Sequence, residues 1–373
     1  MRSVTSVAGL SALALGVACG KGPSGEGEWP AATASSSASA STSTPPLAAP
    51  SASVGVVESP ITIRVSAVGD CTLGGDAKAA STTGPFDAVI AAQGGDLRYP
   101  FSGVLSLLQD DDVTIANLEG TLTASFEPEG DVPFHFRGKP EYAAILREGS
   151  VEVVNLANNH SHDFGGRGYQ DTLRALANVG VGAAGYELVD TRTVKGITIH
   201  NLGFTGGDPV MVARVRAAVA AKKAPGNLVI VSFHWGLEGV HEIIDVQRAL
   251  GRAAIDAGAD LVIGTHPHVV QGIETYHGRR IVYSLGNFVF GGNVNPTDKE
   301  AIIYRATFTA IDGQMAQSGE QIVPVRVTTA PERNDFRPVV LVGEARANAL
   351  ARVAAYSDGL DGAKIRNRAL RPR

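Results

Sequence analysis

The chain is short of cysteine, of basic runs and of long apolar stretches, and each shortage excludes something. Two cysteines, Cys19 and Cys71, stand in 373 residues, so a hydrophobic core rather than a set of disulfides must hold the fold. Such a core can form, because 44% of the residues are apolar. Lysine and arginine total 32 against 37 aspartates and glutamates, a net charge of -5, and no basic cluster runs beyond a few residues. A nucleic-acid partner therefore has no electrostatic footprint. The apolar stretch from about Val4 to Val17 is too short for a spanning helix.

That stretch has another use. Arg2 gives a positive start, the apolar run follows, and small residues close it directly before Cys19. This is the form of a secretory signal. Gly16-Val17-Ala18-Cys19 resembles a bacterial lipobox, with glycine where leucine is commonest; cleavage by an ordinary signal peptidase after Ala18 is the alternative. The first reading makes residues 1–19 a lipoprotein-type signal and puts a diacylglyceryl group on Cys19. Cys71 is then alone and no intrachain disulfide exists. Residues 20–60, rich in Ser, Ala, Thr, Pro and Gly, cannot bury enough apolar surface to offset chain entropy and read as a flexible tether. The expected location is extracytoplasmic, held to the membrane by the lipid.

From Ile61 short apolar runs alternate with helical patterns. Residues 61–69, 111–120, 151–159, 197–206, 227–236 and 260–268 read as strands. Between them, 169–180 places Leu173, Leu176 and Ala177 on one helical face with Gly180 as the stop, and 242–259 repeats the form up to Gly258. This alternation predicts a largely parallel sheet with helices outside. The runs 279–291, 300–313, 320–329 and 337–343 read as antiparallel hairpins, and a helix spans about Glu344 to Tyr356. The mixed ending predicts two stacked sheets in one domain, 61–360, followed by a basic tail, 361–373.

In open parallel sheets ligands sit beyond the carboxyl ends of the strands. Asp70 follows the first strand, and Asn117 and Glu119 end the second. Asn158, Asn159, His160, His162 and Asp163 follow the third. His234 and Glu238 stand in FHWGLEG, after the fifth apolar run, and His266 and His268 in GTHPHV, after the sixth. Singly, such residues are turn formers or core histidines; together, at one edge, they have the pattern of a polynuclear metal site of oxygen and nitrogen ligands. His266 and His268, two apart in an extended segment stiffened by Pro267, would face the same side and could serve metals roughly 3.5–4 Å apart. Without soft thiolates, imidazole, carboxylate and amide suit Mn, Fe or Zn.

The stretches GDCTLGGD, ANLEGTLT, NLANNHSHDFGGRGYQDTL, FHWGLE and GADLVIGTHPHVVQGIETYHGRRIVYSLGNFVF occur in order between Ile61 and Phe290. They resemble the CapA family, bacterial proteins of poly-γ-glutamate capsule synthesis, which is related to the calcineurin-like metallophosphoesterases. The resemblance implies a four-layer α/β/β/α sandwich with mixed sheets and one or two divalent ions. It implies Asp70 as the first metal ligand, Glu119 in the place of a bridging carboxylate, and Asn159, His234, His266 and His268 as further ligands. His160 would protonate the leaving group. Thr72 stands where metallophosphoesterases have a histidine ligand, a departure common in CapA proteins that removes one ligand from one metal. Cys71 points elsewhere and is packing. Asn117, Asn158, Asp163 and Glu238 would orient the imidazoles, and Arg137 and Lys139 offer charges to an anionic substrate.

These expectations describe a capsule-synthesis protein with a metal-dependent hydrolase-type site, acting on an anionic polymer or a phosphoester and working beside other capsule-synthesis components. Two alternatives stay open at this level: a non-hydrolytic polymer-binding or export subunit, and an envelope metallophosphoesterase unrelated to any capsule.

Overall fold

The structure, a computed structural model, describes residues 60–77, 84–208, 210–330 and 332–362. The signal, the lipobox cysteine and the tether up to Ser59 lie outside these residues, as do positions 363–373 of the basic tail.

Among the described residues the strands build an eight-stranded sheet, a six-stranded sheet and a small three-stranded one. The first sheet runs in the order Val339–Val340, Gln314–Arg326, Glu300–Ile311, Thr62–Thr72, Val113–Leu118, Val153–Asn155 and Gly182–Ala184. Asn287–Phe290 also pairs with Thr62–Thr72, in parallel. The second sheet runs Ile273–Tyr276, Arg279–Val282, Leu261–Thr265, Leu228–His234, Ile197–Thr205 and Val189–Val194. The first sheet is parallel from Thr62–Thr72 to the Gly182–Ala184 edge and antiparallel toward its other edge, and the second is parallel at its centre and antiparallel at both edges.

Alternation along the strands explains the stacking. In Thr62–Thr72, Ile63, Val65 and Ala67 face the second sheet and pack on Ile199, Ile230 and Ile263. Val68 and Cys71 face the other way, against Phe86, Leu146 and Leu176 of the helices Pro85–Ala92, Ala143–Glu148 and Gly165–Val179. The outer face of the second sheet offers Val229, Val231 and Phe233 to the helices Met211–Ala220 and Asp245–Asp256 through Val215, Val219 and Leu250. Three apolar layers thus separate four structural ones, as the resemblance implied.

Several boundaries differ from the sequence reading. The strand read over 151–159 stops at Asn155, and 156–164 is turns that carry the Asn-Asn-His stretch off the sheet. The helix read over 169–180 begins earlier, at Gly165, and ends as expected at Gly180, whose φ of 74° is the left-handed stop. Residues 279–291 are not one hairpin strand. Arg279–Val282 joins the second sheet in parallel with Leu261–Thr265, and Asn287–Phe290 joins the first. The crossing segment 283–286 is stitched to both, Leu285 N–H donating to Gly264 O (3.2 Å) and Asp70 N–H to Gly286 O (3.1 Å). Glycine is what permits so close an approach. A Cβ on Gly69 would lie 1.9 Å from Gly286 O, and one on Gly264 2.0 Å from Tyr283 O. The runs 300–313 and 320–329 pair as one hairpin, whose second arm begins earlier than read, at Gln314, and ends at Arg326, and the helix Gly343–Ser357 forms within a residue of the reading.

Candidate metal centre

The site grows from two rows of residues, one per sheet. Strand register places Asp70 beside Asn117 and Asn117 beside Asn155 in the first sheet. In the second it places His234 between Thr205 and Thr265. The rows meet where Asn117 Nδ2 comes within 3.2 Å of His234 Nδ1. The loops beyond the strand ends add Glu119, Asn159, His266 and His268. The expected ligands are therefore brought together, and the structure adds how.

Asp70 is fully buried. Its Oδ1 accepts from Asn117 Nδ2 (2.8 Å) and its Oδ2 from His266 N–H (3.2 Å). Burial opposes its ionisation, but the His268 hydrogen bond and the charges of His268 and His234 outweigh that and hold the carboxyl below its usual range. Glu119 is also fully buried, and neither carboxylate oxygen has a hydrogen-bond partner. Burial pushes its carboxyl well above the usual range, with Asp70, Glu238 and Asp163 adding negative charge. A buried carboxylate without donors is costly unless a cation sits beside it.

The imidazoles face that carboxylate. His234 Nε2 lies 3.6 Å and His268 Nε2 3.7 Å from Glu119 Oε1. His234 Nε2 also lies 2.7 Å from Asn159 Oδ1 and 3.0 Å from His266 Nδ1. With His234 Nδ1 facing the Asn117 amide donor, Nε2 carries the proton and donates it to Asn159 Oδ1, a proton that a bound ion would replace. Burial, with the neighbouring imidazoles, lowers His234 well below the ordinary range and lowers His266 as well, so both rings are neutral near pH 7 and have lone pairs to give. Burial works against a charged His268, but Glu119 and Asp70 outweigh it and hold the ring up at about 10. Two groups of three, Asp70–Glu119–His234 and Glu119–His266–His268, each have ligand atoms within 4.8 Å of one another, and Glu119 belongs to both. The donor set fits a divalent ion: hard carboxylate oxygen, an amide oxygen and borderline imidazole.

One expectation changes. His266 and His268 are not in an extended segment. The strand ends at Thr265, and both histidines take left-handed conformations, φ 97° and 56°. Such strain in non-glycine residues persists only where surroundings over-determine it. Here His266 N–H is held by Asp70, and Pro267 O accepts from Gly239 N–H (2.8 Å).

His160 is set slightly apart. Its Nδ1 lies 2.9 Å from Asp163 Oδ2 and its ring packs on Phe136, whose own N–H Asp163 also holds. Asn158 orients the turn rather than an imidazole, donating to Leu118 O (2.8 Å) and accepting from His160 N–H (3.1 Å). Glu238 is exposed and hydrogen-bonds no imidazole; it reaches the site through charge alone. The Thr72 hydroxyl is committed to Glu119 O (2.8 Å), and Cys71 lies in the helix-side core with its thiol pushed up to about 12 by burial. Arg137 stacks on Phe126 and donates to Ser125 O, and Lys139 pairs with Asp87, so neither is directed at the cluster. His162 stacks on Tyr169.

Three positioning residues escaped the sequence reading. Asn287 Nδ2 donates to His268 O (3.3 Å), so its Oδ1 accepts from His268 Nδ1 (3.0 Å). With Asp70 Oδ2 also 3.1 Å away, the Nδ1 proton is held in place, and the proton on Nε2, the nitrogen 3.7 Å from Glu119 Oε1, is the one a bound ion would displace. Thr265 lies 3.2 Å from His234 Nδ1, and Asn155 donates to Asn117 Oδ1 (2.9 Å). The available signal was a buried polar residue ending an apolar strand, as in Val153-Val154-Asn155.

The chain is 32% identical over 243 residues to the PGA biosynthesis protein CapA of Bacillus subtilis, covering 58% of this chain and 63% of that protein. It is 31% identical over 267 residues to the capsule biosynthesis protein CapA of Bacillus anthracis, covering 63% and 65%. The chain thus spans just under two thirds of the length of these relatives. A solved structure of the calcineurin-like phosphoesterase YfkN from Bacillus subtilis is similar at 12% identity and a TM-score of 0.40, covering 80% of this chain and 98% of that one. Residues 64–292, which hold every member of the cluster, match the family described as bacterial capsule synthesis protein PGA_cap, and the chain belongs to that family.

Proposed function

We propose that this protein is an accessory factor of poly-γ-glutamate capsule synthesis with a divalent-metal-dependent hydrolase-type site, tethered outside the cytoplasmic membrane through a lipid on Cys19. The observation that carries the catalytic part is Glu119: a fully buried carboxylate, both oxygens unpartnered, shared by two sets of ligand atoms. Asp70, Glu119, Asn159, His234, His266 and His268 would hold the ion or ions, Mn, Fe or Zn by the donor set. When bound, such an ion supplies Lewis acidity and a water of lowered pKa.

The rest is done by the chain. Asp70 and Asn287 keep the His268 proton on Nδ1. Asn117 holds Asp70 and stands against His234. Asp163 fixes the His160 ring through Nδ1, which leaves Nε2 to hold a proton for a departing oxygen or nitrogen. The names of the relatives support poly-γ-glutamate as the polymer concerned.

The test separates acid from ligand. His160→Asn is expected to keep its metal and lose roughly 100- to 10,000-fold in turnover. His234→Asn is expected to lose metal and turnover together. Both are assayed beside wild type on an aryl phosphodiester and on poly-γ-glutamate. A metal-loaded wild type inert on both substrates would refute the hydrolase part and favour a polymer-binding subunit.

A further inference from the structure

A second concavity lies behind the histidine loop, built largely from residues beyond the 64–292 match. It has a volume of about 460 Å³, within the range of ligand pockets. Its floor is Val270, two residues after His268, so at about 3.8 Å per residue the cleft starts within about 8 Å of that histidine along the backbone. One wall is aromatic: His241 and Tyr356 stack with centroids 4.7 Å apart and planes 18° apart. His241 is fixed there by its ring contact with Val270 O (2.8 Å).

The charges are unevenly matched. Arg352 occupies both oxygens of Glu300, and Asp298 stands 3.8 Å from His241 Nε2. Two cations remain, and among the described residues neither has a carboxylate within ion-pair distance. Lys299 Nζ donates to Asn295 Oδ1 (2.8 Å) and Pro296 O (2.9 Å), which leaves one of its three N–H donors. Arg326 donates to Thr328 O (2.8 Å) and Thr329 O (3.3 Å), which leaves three of five. The neutral oxygens hold both cations in place without discharging them, and each keeps donors for an anion.

We propose that this cleft is a carboxylate-binding subsite, in which Lys299 and Arg326 hold the free carboxylates of a glutamyl chain whose scissile unit lies at the metal cluster. The inference rests on the polymer reading above and deepens it. A chain with one carboxylate per residue matches two cations lining one cleft, and its methylenes match the apolar lining of Val270 and Val353 beside the His241–Tyr356 pair.

The test measures binding of fluorescein-labelled oligo-γ-glutamate by anisotropy, with wild type and Lys299→Gln/Arg326→Gln. The expected result is roughly ten- to hundredfold weaker binding and a shallower salt dependence in the double variant, with metal content and Tm unchanged. Lys299→Arg, which keeps the charge, is expected to bind within a few-fold of wild type. Equal binding by wild type and the double variant would overturn the subsite and leave the capsule reading standing. Binding of α-linked but not γ-linked oligoglutamate, lost in the double variant, would keep the subsite and overturn poly-γ-glutamate as the polymer. No binding of either peptide by wild type would overturn the subsite.

Discussion

At the scale of the residue, the centre depends on groups that never touch an ion as much as on those that would. Asn287 is the clearest. It grips His268 twice, by the ring Nδ1 and by the backbone carbonyl, while the residue sits at a strained φ of 56°. Removing a partner that fixes a ligand's tautomer typically costs ten- to hundredfold in metal affinity. Asn287→Ala is therefore expected to weaken Mn or Zn binding by about that factor, with the fold kept, as titration calorimetry and circular dichroism would show. Unchanged affinity would mean that Asp70 alone orients the ring. This residue was invisible in the sequence because a neutral amide inside SLGNFVF reads as a strand flank. The acidic and imidazole members were legible because each directly follows an apolar run, where a charged side chain has few structural reasons to be.

At the scale of the element, the sequence shows the strands better than their partners. Runs such as Leu228–His234 are buried at every position, so composition identifies them. What composition could not show is that 279–291 splits between two sheets, because the split depends on glycines elsewhere in the chain. Nor could it show the bend at His266–His268, since positive φ at a non-glycine residue has no local signature. The crossing segment 283–286 is the seam of the sandwich and lies directly under Asp70 and the histidine loop. Gly264→Ala would drive a methyl into Tyr283 O and Trp235 Nε1. Such overpacking costs typically 1–3 kcal/mol, and more where only backbone could yield. The variant is expected to melt lower and to bind metal more weakly, because the same shift moves Thr265 and His266. Thermal melts with and without metal check it; a variant that melts like wild type would show that the seam is loose.

At the scale of the whole molecule, the parallel centres of both sheets end at one edge, so two independent sets of strand ends converge on a single cluster. That convergence is why a reading of strand ends picked out residues that cluster in the fold without knowing how the sheets stack. The described residues form no helix long and apolar enough to cross a membrane. Membrane attachment is proposed to come from a lipid on the lipobox-like Cys19. The full chain is expected in the membrane fraction and its Cys19→Ala form in the soluble extracytoplasmic fraction; equal distribution of the two would dismiss the lipid anchor.

The central claim is that Glu119 is buried bare because a divalent ion belongs beside it. Metal uptake and thermal stability of the chain beginning at Ile61, compared between wild type and Glu119→Gln, address that claim most directly. Wild type is expected to hold one to two equivalents of Mn, Fe or Zn by elemental analysis. Added metal at about a hundred times its dissociation constant should stabilise it by about 2.7 kcal/mol, a rise of roughly 5 °C in Tm. Glu119→Gln should melt close to metal-free wild type, since the amide is nearly isosteric with the carboxyl and burial disfavours the charge it removes, and metal should leave its Tm unmoved. A wild type that takes up no metal after soaking, or a Glu119→Gln form that gains the same stability from metal, would contradict the account.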